Sequence, residues 1–154
     1  MKRTPHHPPR LKPFSKYNTP LWFITFGTHD RRRVLDTPQL HRRFVEFGEK
    51  QASRGTAVGR YVIMPDHVHL FVRVGAESQL GPTIGFLKKA LSAILARDGI
   101  DVPHWQPGFF DHLLRSADSY AEKWEYVRQN PVRAGLVEKA EDWPYSGEIV
   151  PIAF

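Results

Sequence analysis

The segment HVHLFVRV, residues 67 to 74, restricts the fold more than any other stretch, because its two alternating sets of side chains demand different surroundings. Side chains alternate across a strand, so Val68, Leu70, Val72 and Val74 share one face, while His67, His69, Phe71 and Arg73 share the other. The aliphatic set has to be sealed, and helices are the natural cover. The two histidines fall on the opposite face, about 7 Å apart along the backbone by the rise of a strand. Imidazole is a common ligand for divalent metals, so two of them on one face can converge on a single ion. The plainer use of such a pair is hydrogen bonding to neighbours or water on a half-solvated sheet.

The rest of the chain supplies the cover that this strand requires. LWFITFGTH, residues 21 to 29, concentrates β-branched and aromatic residues and reads as a first strand. Thr37 before Pro38 is an N-cap followed by a first-turn proline, opening a helix through about Ser53 with Leu40, Phe44 and Phe47 at helical spacing. TAVGRYVIM is a second strand after Gly55, and MPDH a turn into the third strand. Gly75 to Gly81 read as a loop, and residues 82 to 99, PTIGFLKKALSAILARDG, as an amphipathic helix stopped by Gly99. An extended segment containing WQPGFFDHLLR comes next, then a helix from about Ser116 or Asp118 to Asn130, ended by Pro131. This order predicts an α+β fold: a ferredoxin-like antiparallel sheet with two helices on one face and an additional C-terminal helix. The other face, left uncovered by those two helices, is where a site has room.

Composition narrows the class of protein. The 154 residues suit one domain, with Lys and Arg exceeding Asp and Glu by 22 to 16, a net charge of +6. That balance favours a polyanionic partner, nucleic acid before membrane. There is no cysteine, which excludes disulfides and thiolate metal sites. No apolar run is long enough for a membrane span and the start lacks the apolar segment of a secretory signal, so the expected location is cytoplasmic. Residues 1 to 18, with Pro5, Pro8, Pro9 and Pro13 among basic residues, are expected to form an extended arm ahead of a single domain over residues 19 to 154.

The last helix carries a second chemical signal. At about 100° per residue, Tyr120, Trp124 and Val127 form a core-facing stripe, and Tyr126 lies off its flank. Asn130, four residues on, stacks above Tyr126 on the same side; Gln129 is a competing amide set less directly in line. A phenol and a carboxamide thus share a face outside the main core. Taken alone, Tyr126 also fits a boundary aromatic, and Asn130 a residue that ends the helix before Pro131.

Three ordered motifs, MPDHVHLFV, WQPGFFDH and YVRQNPVRAGLV, closely resemble the REP-associated tyrosine transposases, single-tyrosine members of the HUH superfamily, over about Leu21 to Ser146. The resemblance implies that His67 and His69 are metal ligands flanking Val68, that Tyr126 is the nucleophile, and that Asn130 stands where relatives place a third, amide-type ligand, often Gln. Tyr120 is a rival nucleophile whose place in the apolar stripe argues for packing. The implied cofactor is a divalent metal, Mg2+ or Mn2+. The implied activity is metal-dependent cleavage and rejoining of single-stranded DNA at repetitive palindromic hairpins through a 5′-phosphotyrosine intermediate, by a monomer or by a homodimer exchanging the tyrosine helix. Two departures, Asp66 where Asn is common and Gly147 where many relatives have serine, are expected to leave the chemistry untouched.

Phosphate contacts are expected from Arg31, Arg32, Arg33, Lys88, Lys89, Arg115 and Arg133, with Lys2, Arg3, Arg10 and Lys12 of the arm adding to them. Trp105, Phe109 and Phe110 are candidates for stacking on unpaired bases, with core packing expected for at least two. Two rival functions stand beside transposition: a nucleic-acid-binding or repeat-processing protein that has lost mobility, and a metallohydrolase using the histidine pair to activate water. A protein–DNA adduct separates the two chemistries.

Overall fold

The alternation of the third strand decides which layer lies on each side of the sheet. The computed structural model describes residues 19–154; the basic arm expected over residues 1 to 18 lies outside the described residues. Five strands, β1 (Leu21–Gly27), β2 (Ala57–Ile63), β3 (His67–Arg73), β4 (Phe110–Leu114) and β5 (Ser146–Glu148), form one sheet in the order β4-β1-β3-β2-β5. All neighbouring pairs are antiparallel. Helices α1 (Pro38–Ala52) and α2 (Leu80–Arg97) complete the split βαβ pattern, followed by α3 (Ala117–Arg128) and the short α4 (Asn130–Arg133).

The expected α+β, ferredoxin-like arrangement is present, with one strand added. β5 pairs with β2 at the sheet edge; its sequence, SGE, carries no strand propensity, so only pairing makes it a strand. Gly147 of β5 lies opposite Tyr61, and a Cβ there would come within 2.9 Å of the Tyr61 hydroxyl, too close without a shift. That hydroxyl is hydrogen-bonded to His41 Nε2 at 2.7 Å, so the glycine makes room for a tyrosine–histidine pair beneath α1.

Val68, Leu70 and Val72 are sealed in a core with Ile24, Phe26, Leu40 and Phe44 and with Ile84, Leu87 and Leu91 of α2. α1 starts as its capping signal predicts: the Thr37 side chain accepts from Leu40 N–H. α2 begins at Leu80, two residues before the expected start, with Gln79 as N-cap, and Gly99 beyond its end takes φ +80°.

The opposite face is less bare than expected. Leu21, Phe23, Val62, Met64, Phe71 and Leu114 of the sheet side meet Tyr120 and Val127 of α3 and Trp143 in a second apolar cluster. The Trp143 indole donates to Ile63 O at 3.0 Å, fixing the segment after α4 against the sheet. Cover is complete over Phe71 and thins toward the histidine end of β3, where His67 and His69 are only partly buried. Pro131 does not stop the helical path either. Gln129 keeps right-handed helical angles, and Asn130 and Pro131 open the next turn, where a proline N–H is not required.

Candidate active site

The tight Pro65–Asp66 turn delivers His67 to the start of β3, and it is pinned from both sides. Thr28 N–H donates to Asp66 O and Leu35 N–H to Pro65 O, both at 3.0 Å. The Asp66 carboxylate then holds two groups: Oδ1 lies 2.7 Å from His67 Nδ1, and Oδ2 accepts from Arg31 Nε at 2.9 Å and Nη2 at 2.8 Å. Burial pushes the Asp66 carboxyl upward, but the bond and charge of His67, together with Arg31, outweigh it and leave it below its ordinary range. An ionised Asp66 only accepts, so His67 Nδ1 carries the hydrogen, which in the neutral ring leaves the lone pair on Nε2. Asp66 is therefore in direct contact with the candidate ligand His67. Arg31 reaches it from a left-handed backbone position, φ 53°, next to Asp30 at φ 58°. Such strain at non-glycine residues costs about 1–3 kcal/mol each and persists only where surrounding contacts hold it.

His69 is fixed by two other elements. Thr25 of β1 sits opposite it in register, and Thr25 Oγ1 lies 2.8 Å from His69 Nδ1. On the other side, Asn130 Nδ2 lies 2.8 Å from His69 Nε2. An amide NH2 can only donate, so Nε2 accepts and Nδ1–H donates to the threonine. Burial holds the His69 pKa down to about 3, with the charges of His67, Arg133 and Lys123 acting in the same sense. The ring is neutral, stacked on Phe23 at 5.4 Å and 21° between planes, and its centroid is 4.7 Å from that of His67.

These residues fit a divalent ion. His67 Nε2 and His69 Nε2 on β3 are the candidate nitrogen donors and the Asn130 amide oxygen the candidate third, so two segments supply the set; the His69 lone pair accepts from the Asn130 NH2, a bond that an ion at this nitrogen would replace. Among the described residues no group of three or more His, Cys, Asp or Glu side chains could hold a metal; the Asn130 amide is the third side chain at the pair.

α3 carries the phenol past this point. Ser116 caps the helix, exchanging hydrogen bonds with Ser119. Tyr120 and Val127 are buried and Trp124 partly so, the stripe read from sequence. Tyr120 is 6% exposed and its phenol is pushed up, chiefly by burial. Tyr126 is 64% exposed, and its ring lies under the Arg133 guanidinium at 3.9 Å. It sits one helical turn, roughly 6 Å of rise, before Asn130. The described contacts of its ring run to Arg133 rather than to the imidazoles. The structure thus joins Asn130 to His69 and leaves Tyr126 open to solvent on the adjoining turn.

The histidines open into a groove of about 660 Å3 lined also by Thr25, Phe26, Gly27, Arg31 and residues 106 to 110. Its far wall is the WQPGFF loop, which is firmly tied. The Trp105 indole donates to Ser92 Oγ at 2.9 Å and Lys88 O at 3.2 Å, and its ring packs edge-on to Phe26. Lys88 Nζ donates to Gly108 O at 2.6 Å and Gln106 O at 3.2 Å. Burial lowers the Lys88 pKa. Lys88, expected from the sequence among the phosphate contacts, holds this loop through its ammonium. Arg32 is likewise committed, donating to His29 O, Asp101 O and Pro103 O. Arg33, Lys89, Arg115 and Arg133 are exposed. Trp105 and Phe109 pack against the main core, as expected for two of the three aromatics, and Phe110 is 51% exposed.

Thr25 and Lys123 join the site beyond the residues that the sequence singles out. The alternation of LWFITFG places Thr25 with Leu21 and Phe23 on the site face, a signal that was present. Lys123, one turn before Tyr126, has its ammonium over the Phe23 ring at 5.1 Å and adds positive potential at His69.

A 4-1-3-2 sheet core with paired histidines on its central strand and a tyrosine helix alongside defines the class of single-tyrosine transposases. The family described as "Transposase IS200 like" matches residues 21–130, and within it the chain belongs with the REP-associated tyrosine transposases. It is 31% identical over 141 residues to a provisionally named REP-associated tyrosine transposase of Haemophilus influenzae, covering 82% of this chain and 78% of that one. It is 26% identical over 126 residues to the REP-associated tyrosine transposase of Escherichia coli K12, covering 81% and 74%. A solved REP-associated tyrosine transposase bound to a REP hairpin shares the fold, with a TM-score of 0.70 at 24% identity over 95% of this chain and 82% of that one. A transposase-like structure from Deinococcus radiodurans matches at TM-score 0.53 and 19% identity, over 77% and 97%. No helix among the described residues is long and apolar enough to cross a membrane.

Proposed function

We propose that this enzyme cleaves and rejoins single-stranded DNA beside repetitive palindromic hairpins, with Tyr126 as nucleophile and His67, His69 and Asn130 as the residues that hold a divalent metal, Mg2+ or Mn2+. The observation that carries this reading is the Asn130–His69 bond, which ties the turn after α3 to the imidazole pair, α3 carrying Tyr126, the one exposed tyrosine among the described residues. The metal would supply charge neutralisation at the scissile phosphate. Asp66 and Thr25 keep the two imidazoles in the tautomer whose Nε2 can coordinate. The Tyr126 oxygen forms a bond to phosphorus as the bond from phosphorus to the 3′-oxygen breaks, the phenol losing its proton and the 3′-oxygen gaining one. The phosphate remains a diester, now a 5′-phosphotyrosine, and a later 3′-hydroxyl can reverse the step. Arg133, over the Tyr126 ring, and Lys123, beside Phe23, place positive charge along the phosphate path. Arg31, Arg33, Lys89 and Arg115 would add phosphate contacts whose strength falls with salt.

The metallohydrolase reading has no free carboxylate beside the histidine pair, among the described residues, to act as general base. Asp66 is close enough to His67, but both its oxygens are already engaged by His67 and Arg31. The test is to incubate the protein with labelled hairpin-bearing single-stranded DNA and divalent metal, then look for a covalent adduct after denaturation. An adduct lost in Tyr126→Phe is expected. Cleavage with no adduct, or an adduct unchanged in that variant, rejects the assignment.

A further inference from the structure

The groove beside the imidazoles has a second end that the chemistry at phosphorus does not use. Phe110 pairs with Thr25 in the sheet register, and Thr25 pairs with His69. Phe110, Thr25 and His69 therefore lie in one row across three strands and project from the same face, with Phe110 roughly 10 Å from His69 at the spacing of two strands. Pro107 and Gly108, with the edges of Phe26 and Phe109 that otherwise pack in or against the main core, also line the groove and make it largely apolar. Gln106 stands at its rim: its side-chain oxygen lies 3.5 Å from where a Cβ on Gly27 would be, and Gly27 is opposite His67. Among the described residues its amide forms no hydrogen bond within the protein, while its backbone is fixed by Gly27 O and by Lys88.

We infer that this end of the groove is a nucleobase subsite: Phe110 stacks on an unpaired base adjoining the scissile phosphate, and Gln106 reads the edge of that base. The inference rests on the reading of the site as a DNA-cleaving centre. A base joined to a phosphate at the imidazole pair needs a flat apolar surface within one nucleotide's reach, with a donor–acceptor group at its rim, and the groove provides both. Its volume of about 660 Å3 falls in the range of roughly 300–1,000 Å3 usual for small-ligand pockets. The wall is built before any ligand arrives. Lys88 and Trp105 hold the loop through backbone and hydroxyl partners, and Gly108 turns it at φ +73°, a conformation glycine adopts without strain. An exposed phenylalanine on such a fixed support loses little freedom on stacking, and base–aromatic stacking of this kind changes affinity by about tenfold.

Binding of hairpin-bearing DNA whose single-stranded positions are made abasic one at a time tests this, using Tyr126→Phe protein with Mg2+ so that the DNA stays intact. At one position next to the cleavage site, removing the base is expected to weaken binding about tenfold. With Phe110→Ala added, the intact DNA should bind that much more weakly and the abasic DNA no worse, whereas Phe110→Trp should restore the difference. Gln106→Ala should level the preference among the four bases at that position while leaving the salt dependence of binding unchanged. If no position couples to Phe110, the subsite is absent. Adduct formation by the native protein is scored separately: adduct without coupling overturns only the subsite, whereas the absence of adduct overturns the cleavage reading whatever the coupling shows.

Discussion

The two faces of β3 share one backbone and have opposite fates. Val68, Leu70 and Val72 are fully buried beneath α1 and α2 in the main hydrophobic core. On the other side the cover is graded: Phe71 is sealed under α3, while His67 and His69 are partly open, with polar partners from β1, α4 and the Asp66 turn. A closed face needs only volume and apolarity, so many side chains satisfy it. An open end needs a hydrogen-bond partner for each ring nitrogen that is to be directed, and those partners come from three separate segments. Stability and chemistry are thus separated by less than the thickness of one strand.

The sharpest break in this comparison lies on α3, which presents a buried and an exposed tyrosine. Tyr126→Phe is expected to remove the covalent DNA adduct altogether without moving the melting temperature, while Tyr120→Phe keeps the adduct; denaturing gels and thermal melts on both variants check this. An adduct that follows Tyr120 would reverse the roles of the two rings. Next in size, Leu70→Ala should cost about 2–5 kcal/mol of stability on the sealed face, measured by urea unfolding. His67→Ala, at a partly buried ring with one bond to Asp66, should cost less stability than Leu70→Ala yet abolish metal-dependent cleavage.

Asp66→Ala sharpens the comparison further, because it leaves both imidazoles in place but frees His67 to rotate and change tautomer. Mn2+ affinity, read by titration calorimetry, is expected to fall about 10–100-fold, with Asp66→Asn retaining more of it by still accepting from Nδ1. The smallest effect concerns acid. Burial holds His69 down to about 3 and also lowers His41, whereas an unfolded imidazole titrates near ~6.5. The unfolded chain therefore takes up protons first, so these groups' contribution is complete above about pH 6.5 and is lost as the pH falls toward 3. Metal-free protein should melt lower on acidification by about 2–4 °C per kcal/mol lost, and His69→Gln should flatten that slope.

Much of this architecture was legible before any coordinates. Period-two alternation in HVHLFVRV separates core from site, the Thr37–Pro38 pair marks the start of α1, and helical spacing sets Tyr126 apart from the Tyr120–Val127 stripe. Each of these is a local rule, in which a side chain's direction follows from its own backbone period. What such rules leave out is non-local. The strand character of SGE comes from pairing with β2, and Lys88 and Arg32 look like free cations until the loops that their charges hold are in place.

The chain itself determined the order of elements, the face on which the histidines stand, and the tyrosine that escapes the core, because these depend on spacings of two to four residues. Only the tertiary structure decided that Thr25 and Asn130, 44 and 61 residues from His69, meet its two ring nitrogens, and that Asp66 and Arg31 brace His67. The reason is physical: the direction of a lone pair is set by which donors and acceptors surround a ring, and packing of distant segments chooses them.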